Sequence, residues 1–504
     1  MLDIDRASST PIFRQIYMGI RQAVTEGSLA PGSQLPATRD LAQRLNVSRT
    51  SVLSAFNQLR AEGYIDGRLG AGTFISSDLD GLIRPEPSHA GSERSLAGPR
   101  SLSGLGQRYR EVGDRLPELA HAPFHTGWVS PDAQTMDVWR RISSRQLASH
   151  HENNFGYSDS KGLLSLRTQI VHYLRAARLV KCDVDRVVIT SGTQQGFDLA
   201  LRVLINPGDC VWMEDPGYPA VRDAVRALGA QVVAVPVDGS GLNVASALAR
   251  APSARVACVT PSHQFPTGTV LSMARRLELL EWAKQSGAWI IEDDYDSEFR
   301  YSGQPLASLQ GLDVGERVIY IGTFSKVLFP GLRLGFVVLP PDLVTAFQGA
   351  RHLVDRHPPT LQQMVLSDFM SGGFLTGHIR RTRQRYKAAR DVVVEELRAR
   401  VGGQCEIPLP DCGMQLVCYL PEDMSDIAVT EAAAERGVYV RPLSTMYESA
   451  PSRPGLVLGF TGHDHRRLRT AASQLAAIIH AQRDSRSQAR VTVPSTEGPR
   501  TIAL

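Results

Sequence analysis

The sequence predicts an α/β protein of two domains: a small N-terminal domain of helices and a hairpin, and a large domain with a mostly parallel sheet. The chain has 504 residues, more than one ordinary domain contains. Residues 1–76 carry helical patterns followed by two short strand patterns. Residues 119–482 alternate apolar runs with helical patterns, which is typical of a parallel sheet covered on both faces.

The small domain has the order helix, short helix, tight turn, helix and hairpin, and this order predicts a winged helix-turn-helix. Apolar spacing and turn residues set the limits of each element. The expected helices cover 11–26, 38–45 and 49–62, and the expected strands cover 64–65 and 73–75.

In such a domain the second helix of the motif enters the major groove of DNA by its N-terminal end. Arg49 stands there and can offer a bidentate fork to a guanine edge. Glycines in the wing allow close approach to the sugar-phosphate backbone. The residues predicted to bind DNA are Arg39, Ser48, Arg49, Thr50, Arg68, Gly70 and Gly72. The alternative is a small protein-interaction domain in which Arg49 is only solvated.

The flanking segments differ in composition from both domains. Residues 77–118 are rich in Ser, Gly, Pro and Arg and predict a flexible linker, and residues 483–504 predict a disordered tail. No window has 18 uncharged apolar residues, and the N-terminus lacks the pattern of a secretory signal. The six cysteines show no CxxC pair, so we expect reduced thiols and a cytoplasmic location.

Ligands of parallel α/β sheets bind at the carboxyl ends of the strands, so polar residues there are candidates for a site. The sequence TSGTQQG contains Gly192, Thr193 and Gln194 at a predicted helix start, which favours an anion. Tyr218 in EDPGYP offers a ring that can stack on a flat ligand. Alone, each segment is also compatible with an ordinary surface turn. The predicted strands cover 187–190, 211–214, 256–260, 289–293, 318–323 and 335–339.

Two further strand ends carry acids and a lysine. In WIIEDDYDSEF, Asp293 could pair with a protonated ring nitrogen of a ligand. Tyr295 could donate a hydrogen bond to a phenolate oxygen of the ligand. A metal site or a solvated loop is the alternative, and no histidine stands at the spacing that zinc requires. Lys326 is one of only five lysines and has apolar neighbours, which favours a neutral amine that forms a Schiff base. Thr323 and Arg333 would complete a phosphate site.

Together these groups describe a site for pyridoxal 5′-phosphate (PLP). The motifs SGTQQ, EDPGY, PSHQFPTG, EDDYDSEF, TFSK and GLRLGF resemble those of fold type I aminotransferases. LPATRDLA, SRTSV and GAGTFI resemble the GntR-type winged helix-turn-helix. The combination, over roughly residues 10–76 and 120–480, resembles the MocR/GabR-type regulators.

The resemblance implies a role for each site residue. Lys326 would form the Schiff base with PLP, Asp293 would meet the pyridine nitrogen, and Tyr295 would lie near the ring hydroxyl. Tyr218 would stack on the ring, and Tyr157 would reach the phosphate site of the neighbour in a homodimer. The phosphate would be held by Gly192, Thr193, Gln194, Thr323 and Arg333. His263 and Gln264 replace the usual asparagine of the PNNPTG-like loop. No metal site is predicted.

One departure from the aminotransferase pattern concerns the arginine that holds the substrate carboxylate. Val457 stands at its position in PGLVLGF, and Arg453 is separated from it by Pro454 and Gly455. We therefore expect a regulator that senses PLP or a PLP–amine adduct, controls vitamin B6 or amine and amino-acid metabolism, and has at most residual transamination. The alternatives are an active aminotransferase with a DNA-binding appendage and a repressor whose large domain is only a scaffold.

Overall fold

The computed structural model describes residues 3–68, 70–80, 101–116, 121–148, 156–451 and 453–491. The chain divides into two compact units, Met1–Ser101 and Leu102–Leu504, and each is described by itself. Within the described ranges, no helix is both long enough and apolar enough to cross a bilayer.

The first unit is a winged helix-turn-helix, as the sequence predicts. Its three strands form an antiparallel sheet in the order β1-β3-β2. Ile16 and Ile20 on the first helix pack with Val52, Phe56 and Leu59 on the third, and all five are buried. The elements are α1 (Ile12–Thr25), β1 (Gln34–Leu35), α2 (Thr38–Arg44), α3 (Arg49–Ala61), β2 (Ile65–Arg68) and β3 (Gly72–Ile75).

The second unit contains a large sheet, a small sheet and the helices that cover them. The helices are α4 (Gly104–Gly113), α5 (Ala133–Ala148), α6 (Leu164–Arg178), α7 (Thr193–Leu204), α8 (Pro219–Ala227), α9 (Val244–Arg250), α10 (Met273–Ser286), α11 (Leu309–Leu312), α12 (Val344–Asp355), α13 (Thr360–Ser371), α14 (Phe374–Val401), α15 (Asp426–Ala434) and α16 (His465–Val491). The strands are β4 (Val187–Thr190), β5 (Cys210–Asp215), β6 (Gln231–Asp238), β7 (Gly241–Leu242), β8 (Val256–Val259), β9 (Trp289–Asp294), β10 (Val318–Thr323), β11 (Gly335–Val338), β12 (Gln415–Tyr419), β13 (Arg441–Pro442) and β14 (Gly455–Gly459).

The large sheet has eight strands in the order β4-β11-β10-β9-β8-β5-β6-β7. The pairs from β10 through β9, β8 and β5 to β6 are parallel, whereas β11 runs antiparallel to both of its neighbours. Because β11 reverses direction between β4 and β10, those two strands point the same way as β9, β8, β5 and β6, whereas β7 at the edge is antiparallel to β6. The carboxyl ends of β4, β5, β9 and β10 therefore meet at one edge of the sheet, as the sequence predicts.

The small sheet joins three antiparallel strands in the order β12-β14-β13. Val457 on β14 lies opposite Val417 on β12 and opposite Arg441 on β13. Helices α14 and α16 cover this sheet through Val393, Leu397 and Leu475, which are fully buried. The small sheet thus rests on an apolar core of its own.

Two segments predicted to lack regular structure contain helices. Helix α4 lies inside the predicted linker; Ser103 caps its start, and Arg108 Nε donates to the Ala227 carbonyl oxygen at 3.0 Å. Leu105, Tyr109 and Val112 have helical spacing in α4, but the Ser- and Gly-rich composition around them indicated a linker. Helix α16 continues to Val491, into the predicted tail, because residues that favour helices extend past its last buried turn. Residues 81–100, 117–120 and 492–504 lie outside the described ranges.

Candidate functional site

A cavity of about 150 Å³ lies where the strand ends of the large sheet face the small sheet. Loops after β4, β5, β9 and β10 and strands of the small sheet contribute to its wall. The lining residues are Thr126, Gly127, Thr193, Tyr218, Phe265, Asp293, Tyr295, Lys326, Met414, Gln415 and Arg441. Five of them, Thr193, Tyr218, Asp293, Tyr295 and Lys326, are residues that the sequence predicted for the site.

A larger hollow of about 520 Å³ lies between α14 and the loop after β14. Its wall includes Arg385, His463 and Asp464 but no lysine. The smaller cavity is the better candidate because it combines a lysine, a carboxyl and aromatic rings. Among the described residues, no three His, Cys, Asp or Glu side chains lie together as ligands for a metal ion.

Lys326 follows β10 and lies among the buried side chains of Phe324, Val327 and Leu328. Burial lowers the pKa of Lys326, while the charge of Asp296 opposes this change and that of Arg333 adds to it. Its Nζ atom donates to the carbonyl oxygen of Gly127 at 3.4 Å. A lysine with a lowered pKa presents more of the neutral amine, which is the form that attacks an aldehyde.

Gly127 is required where it contacts this lysine. Its φ is +79°, and a Cβ atom there would lie 2.3 Å from Lys326 Nζ. Any side chain at this position would displace the amine.

Asp293 lies near the end of β9 and faces the cavity. Its Oδ1 atom is buried and has no hydrogen-bond partner. Burial raises the pKa of Asp293 well above its ordinary value, and the charges of Asp294, Asp296 and Glu214 raise it further. A buried polar atom without a partner is costly, so this carboxyl suits a ligand that brings a donor such as a protonated ring nitrogen.

Tyr295 is held by two neighbours. The Gln415 amide donates to its hydroxyl oxygen at 2.8 Å, and the same hydroxyl lies 3.0 Å from His263 Nδ1. His263 Nδ1 is also 3.0 Å from Asp296 Oδ2. Burial raises the pKa of Tyr295 well above its ordinary value, so the phenol stays protonated. It can therefore donate to an anionic oxygen in the cavity.

The start of α7 forms an anion site with Arg333. Gly192 has φ +84°, and α7 begins at Thr193 without a side-chain cap. Arg333 donates to the Ser191 carbonyl oxygen at 2.6 Å, and a Cβ atom on Gly192 would lie 3.2 Å from its guanidinium nitrogens. Uncapped N–H groups beside a guanidinium favour a phosphate.

Two other predicted phosphate ligands have local partners. The Thr323 hydroxyl accepts from the Ser325 backbone N–H at 3.1 Å and lies 3.5 Å from the Leu334 carbonyl oxygen. The Gln194 amide donates to the Ala220 carbonyl oxygen at 3.3 Å, and its own oxygen is buried without a partner. The Ser325 hydroxyl is also buried without a partner, and the sequence interpretation missed it.

An aromatic pair closes another side of the cavity. The rings of Tyr218 and Phe265 meet edge to face with 5.5 Å between their centres. The sequence interpretation placed His263 and Gln264 at the usual asparagine and missed Phe265. The Gln264 amide donates to the Pro216 carbonyl oxygen at 2.8 Å and so shapes the loop, whereas Phe265 lines the cavity.

Tyr157 does not line the cavity of its own chain. Its side chain is 83% exposed. Its ring meets that of His357 edge to face at 5.9 Å, and the guanidinium of Arg356 lies 5.1 Å from its centre. The residue is available to a neighbouring molecule.

Arg441 is the main cavity residue that the sequence interpretation missed. It lies on β13 opposite Val457, the residue that replaces the expected arginine. Val457 is fully buried against Leu443 and Met446. An arginine thus lines the cavity from the strand next to the expected one. The only sequence signal was one arginine in the short run VYVRPLS.

The predicted DNA-binding residues lie on the surface of the first unit. The Ser48 hydroxyl accepts from the Ser51 backbone N–H at 3.1 Å, so Ser48 caps α3. Arg49 and Thr50 are exposed on the first turn of α3, and Arg39 is exposed on α2. Since Ser48 is engaged by its own helix, its immediate role is structural.

The wing presents Arg68 beside two glycines. The guanidinium of Arg68 lies 4.7 Å from the centre of the Phe74 ring. Gly70 and Gly72 have φ +75° and +114°, and a Cβ atom on Gly72 would lie 2.8 Å from Gln34 Nε2. The backbone conformation of this tip therefore favours glycine.

The fold and the cavity define a class: a winged helix of a DNA-binding regulator joined to an aminotransferase-like domain. Residues 13–75 match the family model for bacterial regulatory proteins of the gntR family, and residues 129–475 match the model for aminotransferase class I and II. This fold carries a lysine-bearing cavity at its strand ends.

Two similar regulators cover nearly the whole chain, and one similar enzyme structure covers the larger part. The probable rhizopine catabolism regulatory protein MocR of Rhizobium meliloti is 36% identical, over 96% of this chain and 97% of that protein. The pyridoxine biosynthesis transcriptional regulator PdxR of Corynebacterium glutamicum is 32% identical, over 94% and 96%. The kynurenine aminotransferase structure from Pyrococcus horikoshii, 28% identical, covers 78% of this chain and 97% of its own with a TM-score of 0.66. The chain belongs to the MocR/GabR-type transcriptional regulators.

Proposed function

We propose that this regulator binds PLP in the cavity, acts as a homodimer in the cytoplasm, and changes its affinity for operator DNA when PLP or a PLP–amine adduct is present. The carrying observation is the unpaired, buried Oδ1 of Asp293 in the same cavity as Lys326. A carboxyl in this state suits the protonated nitrogen of a pyridine ring.

The other residues fit the rest of the cofactor. The N-terminus of α7 and Arg333 would hold the phosphate, Tyr218 would pack on the ring, and Tyr295 would donate to the ring oxygen. Bound PLP supplies an aldehyde carbon that reacts reversibly with primary amines. The lowered pKa of Lys326 keeps its amine ready for that carbon.

Control of DNA binding would follow from a shift between two populations of the dimer. A ligand in the cavity contacts both the strand ends of the large sheet and the small sheet, so it favours one arrangement of these parts. Tyr157, exposed on its own chain, would reach the cofactor site of the second copy. The target genes would serve vitamin B6 or amine and amino-acid metabolism. The similarity to PdxR, a regulator of pyridoxine biosynthesis, supports this proposal.

The test uses the full chain and an operator fragment selected from a random DNA pool. We expect PLP, or PLP with an amine, to change operator affinity by about 5- to 150-fold in a gel-shift titration. Lys326→Ala should lose the response and keep basal DNA binding. If operator affinity does not change when PLP or amines are added, the proposal that this protein senses them is wrong.

The aminotransferase alternative has one structural observation in its favour, because Arg441 can hold a carboxylate. Its test is sustained transamination of amino acids with 2-oxoglutarate. Many turnovers, together with operator binding that does not change with PLP or amines, would identify the chain as an enzyme.

A further inference from the structure

His378 is a fully buried histidine that contacts the residue directly after Lys326. It lies on α14, and its Nε2 atom is 2.8 Å from the carbonyl oxygen of Val327. On the other side of the ring, Nδ1 is 2.8 Å from the hydroxyl of Thr135 on α5. The cavity is lined by other residues, so the proposed cofactor contacts give this histidine no role.

The neighbours of His378 decide which ring nitrogen carries the proton. A carbonyl oxygen only accepts hydrogen bonds, so Nε2 carries a proton and donates it to Val327. Burial lowers the pKa of His378, so at neutral pH the ring is uncharged and Nδ1 is an acceptor. The Thr135 hydroxyl accepts from Arg381 Nη2 at 3.0 Å and can donate its own proton to Nδ1. These contacts hold the ring in one tautomer.

Arg381 connects this chain of hydrogen bonds to the start of α5. Its Nε atom donates to Asp132 Oδ2 at 2.8 Å. The other oxygen of Asp132 accepts from the Thr135 backbone N–H at 2.7 Å, as a capping side chain does. Asp132 therefore fixes both the guanidinium and the residue whose hydroxyl faces His378.

Helix α14 gives His378 a fixed position in the fold. Leu375 and Ile379, on the same part of the helix, belong to the apolar core of the large sheet. Val393 and Leu397, further along, belong to the core of the small sheet. Because close-packed cores hold this helix at both places, a hydrogen bond from His378 restrains the Val327 peptide.

The segment that carries Lys326 is thus held at two points. The lysine Nζ atom donates to the Gly127 carbonyl oxygen at 3.4 Å, and the following peptide is held by His378 through Val327. The rotamers open to a side chain depend on the backbone angles around it. A restraint on the peptide after Lys326 therefore limits the directions in which its amine can point.

We propose that His378 is a positioning residue for Lys326: its Nε2–H group holds the Val327 carbonyl oxygen and so directs the lysine amine at the aldehyde carbon of PLP. This inference rests on the proposed function, since the amine acts on that cofactor. The amine nitrogen bonds to the aldehyde carbon, and its two hydrogens leave with the aldehyde oxygen as water. His378 gives no proton to this step and acts only on the place from which the amine reacts.

Two amide substitutions test the contact from Nε2. In His378→Gln the amide nitrogen can take the place of Nε2 and donate to Val327, whereas in His378→Asn the shorter amide reaches only the place of Nδ1. PLP is added to the PLP-free full chain, and the growth rate of the visible band and the half-saturating PLP concentration are measured. We expect His378→Asn to slow the growth and to raise that concentration about 5- to 50-fold. His378→Gln should stay within about 3-fold of the wild type in both measurements.

Thr135→Val is the control for general damage to this cluster. It removes the hydroxyl beside Nδ1 and leaves the contact from Nε2 to Val327 in place. The urea midpoint of the PLP-free protein should fall in both Thr135→Val and His378→Asn, because each loses a buried hydrogen bond. Capture of PLP should stay within about 3-fold of the wild type in Thr135→Val. If His378→Asn does not fold, His378→Leu fills the volume of the ring without a donor and carries the same expectation.

The outcomes separate this role from packing and from the proposed function. A wild type without a visible PLP band overturns the proposed function. With a normal wild-type band, unchanged capture in His378→Asn overturns only the role of His378. Equal losses in His378→Asn and His378→Gln also overturn it, since the shape of the ring rather than its N–H group would then matter. A loss of capture in Thr135→Val as large as that in His378→Asn overturns it too, because capture would then follow stability.

Discussion

Asp293 and Asp294 are consecutive residues of β9, yet their carboxyls lie in opposite surroundings. Asp294 Oδ2 accepts from Arg178 Nε at 2.7 Å, with both side chains buried, whereas Asp293 Oδ1 has no partner. Successive side chains of a strand point to opposite faces, so one acid serves the interior and the other the cavity. The two residues should therefore respond differently to the same substitution.

Asp294→Asn should destabilise the large unit by about 3–5 kcal/mol, because it removes the carboxylate that pairs with the buried Arg178. Asp293→Asn should leave the stability of the PLP-free protein unchanged or raise it, and should weaken PLP binding. Tryptophan fluorescence in a urea titration measures the stability of the large unit, since all five tryptophans belong to that unit. Equal destabilisation by the two variants would contradict the assignment.

Lys326→Ala should abolish the visible absorbance of the PLP-loaded protein and its reduction by borohydride, because the amine at the cavity is removed. Lys284→Ala, at an exposed position of α10, is the matched control and should keep both. Absorbance spectra before and after borohydride give the answer. A reducible band in Lys326→Ala would show that another lysine carries the cofactor.

Glu214 should make the stability of the large unit depend on pH. Its carboxyl accepts from the buried Thr260 hydroxyl, and burial raises the pKa of Glu214 to about 7. Since the folded state holds this proton more tightly than the unfolded state, the stabilisation is complete below about pH 4.3 and is lost as pH rises through about 7.

Glu214→Gln imitates the protonated group, so the difference in urea midpoint between wild type and variant should change over this pH window. Glu431→Gln, at an exposed position, should show no such change. A constant difference from pH 4 to pH 8 would refute the linkage.

Arg49→Ala should remove sequence preference and cost about 1–3 kcal/mol at the operator, because Arg49 stands at the exposed start of α3. Gel-shift titrations with operator and scrambled DNA measure the effect. If the variant and the wild type bind the operator with the same affinity, a residue other than Arg49 makes the base contact.

Arg68→Ala should weaken binding to operator and to scrambled DNA to a similar degree, because a wing arginine contacts phosphates. The slope of log affinity against log salt concentration should fall by about 1. Titrations at several salt concentrations test this. A loss confined to the operator would mean that the wing reads bases.

Regular apolar patterns explain what the sequence could predict. Strands β4 and β10 were predicted with their observed limits, since each is an unbroken buried run. Helix α4 was missed because the Ser-, Gly- and Pro-rich composition around it indicated a linker. The sequence also could not show that Thr323 is engaged within its own loop.

Arg441 was missed for a different reason. It lies on a two-residue strand whose place beside the cavity depends on its pairing with β14. The spacing of the motif indicated only position 457. The register of the small sheet shows that Arg441 lies opposite that position. The lysine, the acid and the aromatic ring were predictable because each lies at or just past the end of a buried strand.

The contact between Gly127 and Lys326 ties two segments that are 199 residues apart in the chain. The Gly127 carbonyl receives the amine only while that amine is unreacted. A lysine that turns to bond elsewhere gives up this carbonyl, and the stretch before α5 loses an anchor to the large sheet. That stretch lies between α4 and α5 in the chain, so covalent chemistry at one nitrogen atom would change how the first part of the large unit is held to its sheet.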